Sequence, residues 1–371
     1  MTLPFPFNLP APTAFYLTLY VLTFALHQAF MHYVLAGSLY VAWTTTFPGR
    51  GTVSRNDQPI AATLRDWQPF LLSAAITAGV APLLFIQIVY QKQFYTANLL
   101  LWWRWMIVVP VLIVAFYLLY LLKSKLMARW PRAVRSLVAI GTAACFVFVG
   151  FCWTANHLLS VNESRWPQVY VTNDLSFMMW QVLPRMSIWL CGSFLTLPAI
   201  LAWQMLRRQS ERSAEVIASV THNLSRMADT ACSFLVLIFV TYQALGREEM
   251  IRTFESRSTV GYALLAFAGM VALRVGWLVQ LKRKELSTFW SAVVSVGTTV
   301  ALLGISFARE SIRARTIDMT QLYQRHADAA QVGGFAIFLI FTVLVSVAMA
   351  WCFLTVHRGL KVKDQSGERP A

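Results

Sequence analysis

Long apolar stretches alternate with short polar connections along almost the whole chain. Nine stretches are long enough to cross a bilayer: residues 14–46, 67–91, 99–122, 134–158, 175–206, 226–246, 259–281, 287–308 and 332–356. A hydrocarbon core of about 30 Å needs about 20 predominantly apolar residues in helical form. In lipid the backbone must satisfy its own hydrogen bonds, so segments of this length are helices. The pattern predicts an all-α fold, a polytopic membrane helical bundle of about nine transmembrane helices. Short connections make consecutive helices antiparallel neighbours. The longest outer connections are 158–174 and 309–331, and the stretch 207–225 has helical spacing that extends the fifth span or precedes the sixth. Pro82, Pro110, Pro184 and Pro198 lie in or near spans, where proline kinks a helix beside a cavity. Tryptophans cluster near span ends, among them Trp43, Trp67, Trp102, Trp103, Trp105, Trp166 and Trp203, as an interfacial aromatic belt.

Composition agrees. The 371 residues are 57% hydrophobic, with a mean hydropathy of +0.57. That leaves no room for a separate soluble domain, so residues 1–371 read as one integral membrane domain. The net charge of +15 would suggest nucleic acid in a soluble protein. Here the cations follow the spans instead. Nineteen of the 31 lie in the loops after spans one, three, five and seven and in the tail, eleven lie opposite, and Arg274 alone sits within a span. This bias predicts an external amino terminus and a cytoplasmic carboxyl terminus, and no nucleic-acid partner. All five cysteines fall in spans, which argues against a disulfide framework, and no Cys-x-x-Cys-His motif attaches a c-type heme. The opening MTLPFPFNLPAP lacks a basic region and a cleavage-like site, so the first span is expected to be retained.

An ionisable group within a span needs a partner or a cavity to offset its cost. The first span contains His27 and His32, five residues and about 140° apart on a helix, so the two cannot readily share one iron. An inward imidazole is a common axial ligand of a non-covalent heme b; the alternative is a histidine hydrogen-bonded to a neighbouring helix. The heme reading requires room for a macrocycle beside the ring. His157 ends the fourth span near the depth of His27 and is a candidate second ligand or an ordinary interfacial histidine. His222, His326 and His357 read as surface groups. Asp229 and Arg274 match in depth on adjacent spans and predict a buried ion pair, structural rather than a proton path. Gln87, Gln181 and Asn156 suit interhelical hydrogen bonds or quinone contacts equally well. Arg309 and Arg313 share a helical face at the exit of the eighth span. They could hold heme propionates or dock an acidic partner, although a solvated cap is the commonest outcome for such a cluster.

Nine spans, a histidine-bearing first span and an arginine-rich exit from the eighth resemble subunit I of cytochrome bd quinol oxidase. The likeness is closer to relatives of that subunit in multiheme-cytochrome respiratory complexes. The segment HQAFMHYVLAG (27–37) is similar to the family's first helix, where the first histidine ligates an outer-side heme; the resemblance therefore implies His27 as ligand. GVAPLLFIQIVYQKQFYTANL (79–99), QVLPRMSIWL (181–190) and ARESIR (308–313) are similar to the second, fifth and eighth helices. The chain also departs from the family. Ile188 stands at the fifth-helix position expected to be histidine, LLFIQIVY lacks the second-helix glutamates, and Ser306 stands where a carboxylate precedes the eighth-helix arginine. The 247–258 connection is too short for a long quinol-binding loop. Oxygen reduction is therefore not expected.

The resemblance implies a subunit of a respiratory complex in a bacterial inner (cytoplasmic) membrane. It would bind heme b, contact quinol, and pass electrons to an outer-side, multiheme c-type cytochrome as part of a quinol-linked oxidoreductase. A cofactor-free anchor subunit is the competing reading. A transporter is the third, and the chain lacks the paired broken helices and repeats usual there.

Overall fold

The computed structural model describes residues 6–47, 58–207, 209–245 and 257–332, together with positions 340, 343, 344, 347 and 351. The described elements are all helical. The long ones are α1 (Ala11–Thr46), α2 (Gln58–Val89), α3 (Gln91–Leu101), α4 (Val108–Lys123), α5 (Arg132–Val161), α6 (Met179–Leu206), α7 (Ala214–Leu245), α8 (Arg257–Arg283), α9 (Thr288–Thr316) and α10 (Thr320–Gln331).

Among the described residues seven helices are long and apolar enough to cross a membrane: α1, α2, α4 with the turn before it, α5, α6, α8 and α9. Large apolar side chains such as Leu99, Tyr117 and Leu137 cover the outside of the bundle, each at least 70% exposed. Water would penalise such a surface and lipid does not. The chain is a helical membrane bundle. The expected sixth span, 226–246, falls on α7, which starts earlier, at Ala214, and runs through Glu215, His222, Arg226 and Asp229. The expected ninth span, 332–356, lies outside the described residues except for isolated positions, as do His357, Cys352 and the 247–256 connection.

The expected third span begins later than its hydropathy implied. Trp102 takes φ 48°, in the left-handed region, and breaks the helix between α3 and the turn Trp103–Met106. A bulky residue rarely adopts that conformation. Helix α3 turns back along α5, with Lys92, Asn98 and Arg104 facing Glu163, Asn156 and Cys152 in turn, and the apolar span proper runs over 103–123. Trp102 and Trp103 are exposed, as an interfacial belt requires. Trp105 turns inward and meets Trp153 edge-on at 4.9 Å, and Trp166 donates to the Leu159 carbonyl at 2.8 Å.

Helix α1 is the hub, packing on α2, α5, α6, α9 and α10. Helices α8 and α9 form the tightest pair, because glycines let their backbones meet. A Cβ on Gly297 would lie 2.7 Å from the Leu273 nitrogen, and one on Gly304 would lie 2.6 Å from the Ala266 nitrogen. Between apolar helices in lipid, such close packing replaces the hydrophobic drive. Polar side chains add stitches between helices. Asn156 donates to the Asn98 side chain at 2.6 Å, Gln68 to Ser38 at 3.2 Å, and Tyr33 to Gln204 at 3.0 Å. Apart from α3 and α4, which both run antiparallel to α5, consecutive helices through α9 alternate in direction. One end of the bundle, called the upper end below, gathers the start of α1 and α6 and the ends of α2, α5 and α9. The lower end carries Trp67, Arg207 and the basic connections.

Candidate functional site

His27 and His32 leave α1 toward different neighbours, as their five-residue separation requires. The Nδ1 of His27 is 2.9 Å from the Ala75 carbonyl oxygen on α2. A carbonyl only accepts, so Nδ1 carries the proton and Nε2 keeps its lone pair. The ring lies flat on Gly79 of the same helix, where a Cβ would come within 3.0 Å of its Cε1 and Nδ1. Glycine at 79 is therefore what lets the imidazole sit between the two helices. Nδ1 of His32 is 3.0 Å from the Thr196 hydroxyl on α6. That hydroxyl donates to the Gly192 carbonyl at 3.0 Å, so His32 donates through Nδ1. Its Nε2 is buried with no hydrogen-bond partner.

At the upper end the structure assembles a buried polar cluster that the sequence showed only in part. Arg309 and Arg313 share a face of α9, as expected, but that face looks into the bundle. The solvated cap is therefore corrected: Arg313 is 2% exposed and Glu310, between the two, is fully buried. The reason is helical geometry, since the turn carrying these residues is still packed against α1, α2 and α5. Arg309 donates to the Tyr20 hydroxyl at 3.2 Å, faces Glu310 at 3.6 Å and covers the Phe24 ring at 4.4 Å. Arg313 donates to Ser160 at 3.0 Å and lies 4.0 Å over the Tyr90 ring. His157, half-buried on α5, stands in the field of Arg313, Arg185 and Arg309.

This cluster is rich in unspent hydrogen-bonding capacity. Nε of Arg309, Nε of Arg313 and both carboxylate oxygens of Glu310 lack a hydrogen bond. With the Arg309 and Arg313 guanidiniums beside one carboxylate, this cluster is net positive, and in low dielectric that favours an anion. The eighth span does contain a buried carboxylate, at 310 rather than at 306. Ser306 is buried and donates to Gln28 at 3.0 Å. Sequence reasoning singled out His27, His32, His157, Arg309 and Arg313 but missed Glu310, Tyr20, Tyr90 and Ser160. The i, i+3 spacing of Glu310 and Arg313 was the available signal. The tyrosines and the serine gave none, because partners far apart in sequence bring them in.

Other expected residues fall differently. His326, read as a surface group, is buried where α10 folds back on α1, 2.9 Å from the Thr13 hydroxyl. His222 is exposed as expected. Asp229 and Arg274 pair at 2.8 Å between α7 and α8, but each side chain is nearly half exposed, so the pair sits on the flank of the bundle instead of being buried. Asn156 serves an interhelical bond, while Gln87 accepts from Tyr95 at 3.0 Å on an exposed face. Ile188 packs against the main apolar core.

The residues fit a heme iron and its acidic edge in two respects. His27 presents a lone-pair Nε2 with Nδ1 held by a carbonyl, the usual outer partner of a ligating imidazole, and the Arg309 and Arg313 guanidiniums suit carboxylates. No group of three or more metal-ligating side chains occurs among the described residues. The larger of two described cavities, about 480 Å³, lies in the lower half among α1, α2, α6 and α9, and neither His27 nor His157 lines it. The chain matches no family model, no curated protein and no solved structure.

Proposed function

We propose that the chain is the membrane subunit of a respiratory electron-transfer complex, binding one heme b through His27 and moving electrons between quinol and an outer-side cytochrome. The observation that supports the reading is the pair of inward guanidiniums at the upper end, Arg309 and Arg313, which suit carboxylates. The hydrogen bond from His27 Nδ1 to the Ala75 carbonyl leaves Nε2 its lone pair, and the alternative of a histidine bonded to a neighbouring helix expects the same bond. Bound heme would supply a one-electron iron couple. Around it the chain would hold the imidazole against Gly79, neutralise acidic substituents with Arg309 and Arg313, and exclude water with the apolar rings of Phe24 and Tyr90. His157 is the candidate for a second ligand. His32 leaves α1 toward α6, a different neighbour from His27, and so does not share its iron. The reading includes nine spans, an external amino terminus, a cytoplasmic carboxyl terminus, the bacterial cytoplasmic membrane and a multiheme c-type cytochrome as partner.

The reduced-minus-oxidised spectrum of the purified protein tests it. A reduced α-band is expected, and His27→Ala should abolish it in protein that still elutes as a single species. Protein without any such band would overturn the reading. One observation favours a second reading, a cofactor-free anchor subunit. Ile188, at the position where the related helix carries a ligand, is packed into the apolar core.

A further inference from the structure

We infer that the lower cavity is a binding site for the ring of an isoprenoid quinone, entered sideways from the bilayer between α6 and α9. The cavity measures about 480 Å³. That is within the range of small-ligand pockets and well below what a two-chain phospholipid would fill. Its apolar walls include Ala199 and Leu302, and the indoles of Trp67 and Trp203 stand at its edge. Trp203 is 37% exposed and donates to Ser295 across the α6–α9 seam at 2.8 Å. This seam between two spanning helices is thus one wall of the cavity.

The polar groups in the lining select the ligand further. No carboxylate lines the cavity, while Gln204, Arg207 and Thr298 do. The carbonyl of Gln204 is already occupied by the Tyr33 hydroxyl at 3.0 Å, so its amide is left to donate. Thr298 donates to the Val294 carbonyl at 2.8 Å and keeps lone pairs for a hydroxyl. A planar ring that accepts through carbonyls when oxidised, donates through hydroxyls when reduced, and trails an apolar tail matches these groups. Thr196, also in the lining, is the hydroxyl that holds His32. The cavity is thus joined by one hydrogen bond to the imidazole whose Nε2 has no partner.

The inference names the substrate site of the electron-transfer reading and rests on that reading for its purpose, but binding can be measured without heme. The full chain in phosphatidylcholine nanodiscs is titrated with a ten-carbon-tailed benzoquinone, and quenching of tryptophan fluorescence is followed. Saturable quenching is expected. Gln204→Leu should weaken binding by about tenfold, as the loss of one buried hydrogen bond does. Ala199→Phe, which fills the cavity and leaves Gln204 and Tyr33 in place, should abolish saturation. Unsaturable quenching, or saturation unchanged by both variants, overturns the site. Displacement of the quinone by an anionic phospholipid at equal concentration also overturns it, in favour of a lipid headgroup. An absent α-band with intact quinone binding rejects the heme reading alone. An intact α-band with no saturable quenching rejects this site alone.

Discussion

Two ion-pair regions in the bundle use the same chemistry to different ends. On the flank, Asp229 and Arg274 meet one to one at 2.8 Å, each nearly half exposed. At the upper end, Glu310 is enclosed with Arg309 and Arg313 and has no hydrogen bond to either carboxylate oxygen. The flank pair balances one charge of each sign and borders a cavity of about 60 Å³. The enclosed cluster carries excess positive charge and unpaired donors where desolvation makes both costly. Charge balance and enclosure, more than the presence of charge, separate the two regions.

The contrast can be broken most sharply at Glu310. Glu310→Gln removes the buried carboxylate that faces Arg309, so thermal unfolding in detergent should show a loss of about 3–5 kcal/mol, the range for breaking a buried pair. Added anion should restore part of that loss, and a variant as stable as the parent would show that the arginines need no counter-charge. Asp229→Asn should cost about 1 kcal/mol or less, because each partner is nearly half exposed and the solvated or lipid-edge arrangement relaxes. Equal losses at the two sites would erase the distinction.

A smaller effect comes from the third polar contact at the upper end, Thr13 with His326. Burial pushes the His326 imidazole below its usual 6.5, with backbone carbonyls of Ile88 and Val89 opposing. The folded state therefore prefers the neutral ring, and the unfolded state binds the extra proton first. The stabilisation is complete above pH 6.5 and declines as pH falls below it. Hydrogen exchange in α10 should accelerate on acidification from pH 7.5 to 5, and His326→Gln should remove that dependence.

Much of the fold was legible because bilayer thickness imposes a length on every apolar stretch. Seven of the expected spans coincide with helices of the required length and apolarity. The misplaced start at Trp102 was not legible, since a left-handed tryptophan is set by packing at the α3–α4 corner and leaves no hydropathy signature. The site was legible in fragments. Arg309 and Arg313 announced a shared face, but a run of charges at a span exit reads as a cap when its neighbours are unseen. His326 was misread for the same reason, because α10 folds back through contacts with α1 and α2, far away in sequence.

The sequence alone determined that the chain is a bundle of membrane helices and which imidazoles lie at lipid depth, because local apolarity and helical period are properties of consecutive residues. Tertiary structure alone decided that His27 meets the Ala75 carbonyl over Gly79, that Glu310 is enclosed by two arginines, and that a cavity opens beside Gln204 and Trp203. Each of those depends on which faces of separate helices are pressed together. Helix–helix packing in lipid is set by small residues and scattered polar stitches, and no single segment carries that information.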